Sequence, residues 1–291
     1  MTMELVGIIG GSGLADTLAG ELTQTSVVEL ETPFGKPSGP IVMGQLGSHR
    51  VAFLNRHGPG HCLGPSQVPY AANVFAFKQL GVRTLISTAA VGSLQQPIAP
   101  GHLVVVDQFI DKTFRRKSSF FDQYGAVHCE MAEPACGRLR EIILQVADPL
   151  QMTTHKQGTY VCMEGPQFST RAESLMHRAW GGDLIGMTAM PEAKLAREAQ
   201  MCYALICLVS DYDCWQPHDI NTPKQALLAE IIGNLKLATD NCLALIRAIL
   251  TDEQDLLCSA CTCRKSLELA VWTPEDRRDP KELEKLKPLF D

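Results

Sequence analysis

Short apolar runs alternate with stretches of helical spacing through most of the chain. Seven runs of strand length, several rich in Val and Ile, predict buried β-strands; they cover residues 4–9, 51–55, 83–90, 103–108, 159–163, 184–188 and 203–210. Apolar positions three and four apart predict helices between them, at residues 70–80, 135–147, 169–180 and 191–199. This alternation favours an α/β fold in which helices cover a central sheet.

A longer helix is predicted to begin at Thr222, with Pro223 in its first turn and Gln225 placed as in a capping box. Its apolar stripe consists of Leu228, Ile231, Ile232, Leu235, Ala238, Cys242, Leu245, Ile246 and Ile249. Such a stripe usually packs against a core. After Leu250 the composition becomes more polar. We therefore expect one domain over residues 1–250 and a C-terminal tail, residues 251–291, that packs on the same domain.

The composition is that of a globular protein with a sizeable core. Of 291 residues, 45% are apolar and 20% are charged, which is close to average. The 26 basic and 32 acidic residues form no long run of like charge, which argues against a nucleic-acid-binding face. No apolar stretch has membrane-spanning length, and the N-terminus does not resemble a secretion signal. The expected partners exclude nucleic acid and membrane, and the expected compartment is the cytoplasm.

A glycine turn follows the first predicted strand, with Ser12 among Gly10, Gly11 and Gly13. Glycine-rich backbone and a serine hydroxyl can form an anion-binding nest. An ordinary turn is an equally good interpretation. The turn also resembles the start of a dinucleotide fingerprint, although Asp16 stands where the third glycine belongs. A nicotinamide-dependent oxidoreductase is therefore an alternative function.

Arg56 and His57 directly follow the predicted strand 51–55 and precede a loop rich in glycine and proline. The carboxyl ends of strands are a common place for ligands in α/β sheets. A guanidinium group can donate two parallel hydrogen bonds to phosphate, and an imidazole adds a third donor. These two residues are candidates for phosphate binding, although an Arg-His pair is more often a surface feature.

Residues 163–169 end another predicted strand and enter a helix. Phe168 in this segment can stack on a flat heterocycle or plug the core beneath the Gly165-Pro166 turn. The residues Gly186, Met187 and Thr188 end a further strand in the same way.

Two carboxylates, Asp211 and Asp213, directly follow the apolar run 203–210 and lie beside Trp215. Acidic groups seldom lie so close to a core without a charge partner or a functional role. In an extended segment their i, i+2 spacing directs both to one side, where they can address neighbouring atoms of one planar ligand. A solvated strand-end cap is the alternative. A metal site is disfavoured because His218 and Asp219 lack ligand spacing.

Six motifs, taken in order, resemble the methylthioadenosine phosphorylases. They are GIIGGSGL (7–14), TPFGKPS (32–38), RHG (56–58), GSL (92–94), EGPQFS (164–169) and DYDCW (211–215). The resemblance covers nearly residues 5 to 250. It implies a nucleoside phosphorylase-like α/β fold, a central mixed β-sheet flanked by helices, and a homotrimer with its sites near subunit boundaries.

The resemblance also implies roles for individual residues. Phosphate is expected at Ser12, Arg56, His57, Ala89, Ala90 and Thr188. The nucleoside is expected at His61, Phe168, Ser169, Met187, Asp211, Tyr212, Asp213 and Leu227. Ala89 and Ala90 occupy the positions of a Thr-Ala pair in the family, so a hydroxyl donor is missing that backbone N–H groups or Thr88 would replace. The match at Leu227 is blurred by a one-residue length difference.

These roles imply that inorganic phosphate, as co-substrate, cleaves 5'-methylthioadenosine with no cofactor and no metal. Asp211 is expected to act as general acid at N7 of the purine, in an apolar pocket formed by Phe168 and Trp215, which requires a raised pKa. Asp213 is expected to accept a hydrogen bond from the 6-amino group. Preference for methylthioinosine or another purine nucleoside, and a catalytically silent nucleoside-binding protein, are the remaining alternatives.

Three cysteines, Cys258, Cys261 and Cys263, cluster in the tail. They can form a strained local disulfide, supply three zinc ligands, or stay as free thiols. We expect free or redox-labile thiols, and a zinc site lacks an evident fourth ligand. Some relatives in the resembled family carry a similar pair with one residue between, which favours Cys261 and Cys263 as partners.

Overall fold

The computed structural model describes residues 5–11, 14–217, 222–252, 255–257 and 260–290. Within these ranges the chain forms eleven strands and seven α-helices. The strands are β1 (Leu5–Gly10), β2 (Thr23–Val28), β3 (Ile41–Leu46), β4 (His49–Asn55), β5 (Thr84–Ser93), β6 (Leu103–Val105), β7 (Gln108–Asp111), β8 (Thr154–His155), β9 (Thr159–Cys162), β10 (Leu184–Gly186) and β11 (Cys202–Tyr212). The α-helices are α1 (Leu14–Glu21), α2 (Tyr70–Gln79), α3 (Gly137–Ala147), α4 (Arg171–Ala179), α5 (Glu192–Glu198), α6 (Lys224–Thr251) and α7 (Pro280–Phe290).

The strands form one mixed sheet. Its main path is β2-β3-β4-β1-β5-β10-β9-β7, and β11 branches from β5 and continues through β6 to β8. β1 is parallel to β4 and β5, and β11 is parallel to β5, whereas β10 is antiparallel to β5. The expected fold class, a central mixed sheet flanked by helices, is confirmed.

Strand β11 explains why helices cover both faces of this sheet. Its side chains alternate between two hydrophobic cores, with Tyr203, Leu205 and Cys207 in one and Cys202 and Ala204 in the other. A strand that is apolar on both faces has to be covered on both. Helices α2, α5 and α7 contribute to the first core, and α1, α3 and α6 contribute to the second.

Helix α6 departs from its prediction at its start. It begins at Lys224, and Pro223 in the N-cap position makes no side-chain cap hydrogen bond, so the predicted start at Thr222 and the capping box are wrong. Its first turns also lie outside the core, because Leu228 and Ile232 are each 58% exposed. Only from Ala238 onward is the stripe buried. Periodic apolar spacing does not distinguish a core from a cavity wall or an outer surface.

Several elements were absent from the sequence prediction. Strand β2 is an edge strand whose residues are mostly exposed, so it lacks the apolar run that marks a buried strand. The predicted strand 103–108 divides into β6 and β7, because β6 pairs with β11 whereas β7 pairs with β9. The short helix α1 and the tail helix α7 were also missed.

The described part of the tail packs against the rest of the chain. Leu286 and Leu289 of α7 are buried in the same core as α2, and Cys263 joins the other core. Cys261 and Cys263 lie beside Cys136 and Cys202, two cysteines that are distant in sequence and that the sequence pattern does not place near the tail. Cys258 lies outside the described residues. The domain division at residue 250 stays a prediction. Among the described helices, none combines the length and apolar character needed to cross a membrane.

Candidate active site

Strand β5 changes its neighbour along one edge, and this change opens the site. On that edge its first half pairs with β1, up to Ser87, and its end pairs with β10, from Gly92. Between these two pairings, residues 88–91 have no partner strand on that edge within the described part of the chain, while β11 pairs along the other edge. Ligands in α/β proteins bind at such switch points.

A cavity of about 420 Å³ lies against this unpaired stretch of β5. Of the residues expected at the phosphate, Arg56, His57, Ala89, Ala90 and Thr188 line it. Of those expected at the nucleoside, His61, Phe168, Met187, Asp211 and Asp213 line it. The cavity volume lies within the usual range for small-molecule sites. The structure therefore brings the basic and the acidic candidates to one cavity.

The guanidinium of Arg56 is buried and held on three sides. Nε donates to Glu192 Oε2 at 2.9 Å, and Nη2 donates to Glu192 Oε1 at 3.2 Å and to Ser87 Oγ at 2.5 Å. Nη1 donates to the Thr88 carbonyl oxygen at 2.8 Å. Four of the five N–H groups are thus used. The fifth is on Nη1, which lies 4.0 Å from the position that a Cβ on Gly11 would take, beside the glycine turn.

Glu192 keeps Arg56 charged inside the protein. Burial opposes the positive charge, but the carboxylate of Glu192 outweighs it and raises the pKa of Arg56 above its ordinary value. Glu192 also accepts hydrogen bonds from Ser87 Oγ at 2.6 Å and from Tyr203 OH at 2.9 Å. A charge-assisted, two-point ion pair of this kind fixes the direction of the guanidinium group.

The neutral state of His57 follows from its surroundings. Its Nδ1 lies 2.8 Å from the Leu63 carbonyl oxygen, which can only accept, so Nδ1 carries the hydrogen and Nε2 is the free acceptor. Burial lowers the pKa of His57 to about 4. The ring stacks on His61 with centroids 4.2 Å apart. His57 therefore offers a hydrogen-bond acceptor at neutral pH, not the donor expected from the sequence.

Threonine side chains lie on two walls of the cavity. Thr88 is buried on β5, and its Oγ1 accepts a 3.4 Å hydrogen bond from the Gly11 amide. Thr188, which follows β10, is also buried and donates its amide N–H to Tyr160 OH at 3.2 Å. Thr88 therefore supplies a hydroxyl next to Ala89, the position where the resembled family has threonine. Ser12 lies outside the described residues.

A bulge in β11 sets the direction of Asp211. Val209 pairs with Val91 and Asp211 pairs with Gly92, so Ser210 is the extra residue. Ser210 Oγ lies 3.2 Å from the Val91 carbonyl oxygen and 2.5 Å from Asp211 Oδ2. A Cβ on Gly92 would lie 3.2 Å from Asp211 Oδ1, so a larger residue at this position would crowd the acid.

Asp213 has an incomplete set of hydrogen bonds. It is 8% exposed, and its backbone N–H donates to the Ser93 carbonyl oxygen at 3.0 Å. Its side-chain Oδ2 is buried and has no hydrogen-bond partner among the described residues. Because burying an unpaired carboxylate oxygen is costly, a donor from a ligand is the natural partner. Asp213 lines the cavity, so such a ligand can reach it.

Met187 lines the cavity next to Gly165. Its carbonyl oxygen accepts from Arg116 Nη1 at 2.7 Å. Its sulfur lies 2.5 Å from the position that a Cβ on Gly165 would take, and Gly165 has a φ of +66°. Only glycine therefore fits at residue 165 without displacing Met187. Phe168, from the same segment, lines the cavity although 85% of it is exposed.

Three expected nucleoside contacts do not line the cavity. Tyr212 donates to the Gln96 carbonyl oxygen at 2.9 Å, and Ser169 Oγ contacts Met163 Sδ at 3.5 Å. Leu227 lies on α6 one turn before Ile231, which does line the cavity. Their roles in binding stay predictions.

Trp215 packs away from the cavity. Its Nε1 donates to the Ser93 carbonyl oxygen at 2.8 Å, and its ring lies 3.7 Å from the guanidinium of Arg178. The expectation that it forms the apolar pocket around Asp211 is wrong. Ile185 lines the cavity instead. It belongs to the small hydrophobic core against which Trp215 packs.

Sequence reasoning missed two residues that support the site. In the sequence, Glu192 is only an early residue of a predicted helix. Its contact with Arg56 joins residues 136 positions apart, which a local pattern does not reveal. Arg116 lies in the basic stretch 115–117, which is typical of a surface. Its guanidinium is nevertheless buried, pairs with Glu164 at 3.2 Å, and donates to the carbonyl oxygens of Met187 and Met190. Nothing in the local sequence around Glu192 and Arg116 indicates these long-range contacts.

Comparisons with known proteins agree with this geometry. A model of the phosphorylase superfamily matches residues 5–251. The S-methyl-5'-thioadenosine phosphorylase of Cereibacter sphaeroides is 45% identical over 97% of this chain and 96% of its own. That of Saccharolobus solfataricus is 44% identical over 90% of this chain and 96% of its own.

Two solved structures extend the similarity to three dimensions. A methylthioadenosine phosphorylase sourced from an antarctic soil metagenomic library superimposes with a TM-score of 0.88, at 41% identity over the whole of both chains. A variant of the adenosine/methylthioadenosine phosphorylase from Schistosoma mansoni, in complex with methylthioadenosine, gives a TM-score of 0.79 at 36% identity, over 87% of this chain and 93% of that one.

Proposed function

This chain belongs to the phosphorylase superfamily, and we propose that it cleaves 5'-methylthioadenosine with inorganic phosphate, which yields adenine and 5-methylthioribose 1-phosphate. The observation that carries the proposal is the single cavity that joins Arg56 to Asp211 and Asp213. The relatives named as methylthioadenosine phosphorylases support the same reaction. They favour it over the nicotinamide-dependent alternative.

Phosphate binds at the basic end of the cavity in this proposal. Arg56 contributes its remaining N–H, and Ser12, Thr188 and the backbone beside Ala89 and Ala90 contribute further donors. His57 accepts a hydrogen from the protonated phosphate through Nε2, since its Nδ1–H is used by Leu63. A phosphate held beside the ribose is already oriented for attack at the anomeric carbon, which removes part of the entropic cost.

The acidic end of the cavity stabilises the leaving purine. Breaking the N-glycosidic bond places negative charge on the base, and Asp211 donates a proton or a hydrogen bond to N7. Ser210 holds the carboxyl group of Asp211 in place, because its Oγ donates to Asp211 Oδ2 at 2.5 Å. Asp211 is thus the catalytic residue of the proposal.

Asp213 sets the preference for a 6-aminopurine. Its unpaired Oδ2 accepts a hydrogen bond from the 6-amino group, whereas a 6-oxopurine offers only another acceptor at that position. An ionised carboxylate therefore discriminates against inosine and methylthioinosine.

The other contacts of the nucleoside follow from the cavity walls. Met187 lies against the ribose and Phe168 packs on the base. His61 and the start of α6, around Leu227, border the methylthio group. Ser169 and Tyr212, which adjoin Phe168 and Asp211 in the chain, add further contacts to the nucleoside. This assignment leaves the reaction with no required cofactor and no catalytic metal.

Assembly and location complete the proposal. We expect a homotrimer, as the resemblance to the methylthioadenosine phosphorylases implies. Phe168, Leu228 and Ile232 are exposed apolar side chains that a second subunit can cover. The protein is expected to act in the cytoplasm, in purine and methionine salvage.

The direct test is a substrate panel. Purified protein is incubated with methylthioadenosine, adenosine and inosine, each with and without phosphate, and the products are separated by chromatography. We expect adenine and methylthioribose 1-phosphate only when phosphate is present, with methylthioadenosine the best substrate. Equal release of adenine without phosphate would identify a hydrolase, and absence of turnover by folded protein would leave only nucleoside binding.

A further inference from the structure

Four cysteines from three separate parts of the chain meet at one point. They are Cys136, Cys202, Cys261 and Cys263, and their four sulfur atoms all lie within 4.8 Å of one another. The sulfurs of Cys136 and Cys261 are 3.6 Å apart. None of these residues lines the cavity described above, so the cluster has no part in the proposed reaction.

The spacing of these sulfurs matches a tetrahedral metal site. A zinc ion bound by four thiolates at about 2.3 Å places its sulfurs roughly 3.8 Å apart. Zinc sites with four cysteines are closed and structural, because no position is left for substrate. The present cluster needs only small side-chain adjustments to reach that geometry.

The surroundings of the cluster suit a buried, negatively charged metal site. Cys136, Cys202 and Cys263 are buried, and Cys261 is partly exposed, which leaves a path for an ion to enter. Arg197 Nη1 donates to the Cys263 sulfur at 3.7 Å. Arg197 is itself fixed by a hydrogen bond to the Glu133 carbonyl oxygen. Such neighbours orient metal ligands and balance their charge.

The backbone around the cluster holds its ligands on regular elements. Cys136 is the N-cap of α3, and its amide donates to the Tyr203 carbonyl oxygen at 2.8 Å. Cys202 is the first residue of β11. Cys261 and Cys263 come from a short 3-10 helical turn in the tail. A metal here would connect the tail to the central sheet and to α3.

We propose that these four cysteines bind one structural Zn²⁺ ion, which fastens the C-terminal tail to the phosphorylase domain. Binding converts the four thiols to thiolates and releases up to four protons, with no change of oxidation state. The site then carries two net negative charges, which Arg197 partly offsets. Zinc, rather than magnesium or calcium, fits a set of four soft sulfur ligands.

The test measures metal and thiols on the full chain. The protein is expressed with added zinc and purified without chelator, and its zinc content is measured by elemental analysis and by native mass spectrometry. We expect about one zinc per chain, loss of that zinc with a strong chelator, and a lower Tm after its removal. Cobalt in place of zinc should give the intense absorption bands of a tetrahedral thiolate complex.

A matched pair of variants separates this site from incidental binding. Cys261→Ser removes a ligand and should reduce retained zinc at least roughly tenfold, as loss of metal-site partners commonly does. Cys129→Ser changes a cysteine of similar exposure outside the cluster and should leave the zinc content unchanged. Equal zinc loss in both variants would contradict the proposal.

Two further results would overturn the proposed zinc site. The first is reduced wild-type protein that holds no zinc after reconstitution, which would leave free thiols. The second is a denatured mass lower by about 2 Da for each disulfide formed, with the missing thiols mapped to these four positions. Both outcomes are read from the wild-type chain, so neither depends on whether a variant folds.

Discussion

Glu192 receives hydrogen bonds from Arg56 on both of its carboxylate oxygens, and both side chains are only 1% exposed. The pair joins the end of β4 to the start of α5 and directs the guanidinium toward the cavity. Arg56 therefore reaches the proposed phosphate with a fixed orientation, and Glu192 is the residue that fixes it.

Glu192→Gln should weaken phosphate binding. The amide removes the partner charge of Arg56, and breaking a buried ion pair typically costs about 3–5 kcal/mol of folding free energy. We expect a lower Tm and a KM for phosphate raised about tenfold or more, measured by steady-state kinetics at saturating nucleoside. Glu198→Gln is the matched control, since this acid lies on the same helix but accepts from the Phe120 amide. A KM for phosphate that is equal in the two variants would remove Glu192 from this role.

Asp211→Asn should slow the reaction with little effect on folding. The amide cannot supply the proton that the leaving purine needs, and loss of a general acid commonly lowers turnover by about 10² to 10⁴. We expect this fall in kcat, with a Tm close to that of the wild type. Near-normal turnover in the variant would show that another group, or solvent, protonates the base.

Asp213→Asn should alter which purine is accepted. An asparagine amide can donate to a 6-oxo group, whereas the carboxylate can only accept. The ratio of kcat/KM for methylthioadenosine over methylthioinosine should fall by about 10²-fold. An unchanged ratio would mean that the 6-position of the base is recognised by a different residue.

His57 should make stability depend on pH. Burial lowers its pKa to about 4 in the folded protein from an ordinary value of 6.5. Between these two pH values the unfolded chain binds a proton that the folded chain does not, so the free energy of unfolding falls as the pH falls. Below pH 4 the folded and the unfolded chain are both protonated at His57, so the free energy of unfolding no longer changes through this residue.

The measurement for His57 is a comparison of thermal melts. The decrease in Tm between pH 7 and pH 4.5 should be smaller in His57→Asn than in the wild type. His102, His155 and His177 also have lowered pKa values through burial, and their effect is present in both proteins. Identical decreases would contradict the neutral, buried state of His57.

The central strands and the ligand positions were predictable because they depend on local patterns. β5 and β11 are buried along most of their length and begin within one residue of their predicted starts. Arg56 follows β4, Asp211 lies at the end of β11 and Asp213 directly follows β11; such strand ends are where ligands bind in α/β sheets. The sequence therefore predicted that these residues share one cavity.

The supporting contacts were not predictable because they depend on tertiary packing. Arg116 is buried against the carbonyl oxygens of Met187 and Met190, which the basic stretch around it does not suggest. Trp215 does not line the cavity, and its indole N–H donates to the Ser93 carbonyl oxygen. The four-cysteine cluster likewise joins three parts of the chain that are more than fifty positions apart.

The most direct test of the proposed site is a crystal structure with methylthioadenosine and sulfate, an anion that replaces phosphate without reacting. The account predicts sulfate within hydrogen-bond distance of Arg56 Nη1 and Thr188, and the purine in the same cavity with N7 toward Asp211 and the 6-amino group toward Asp213. A purine or an anion bound in a different cavity, or a purine turned so that neither aspartate meets its edge, would contradict it.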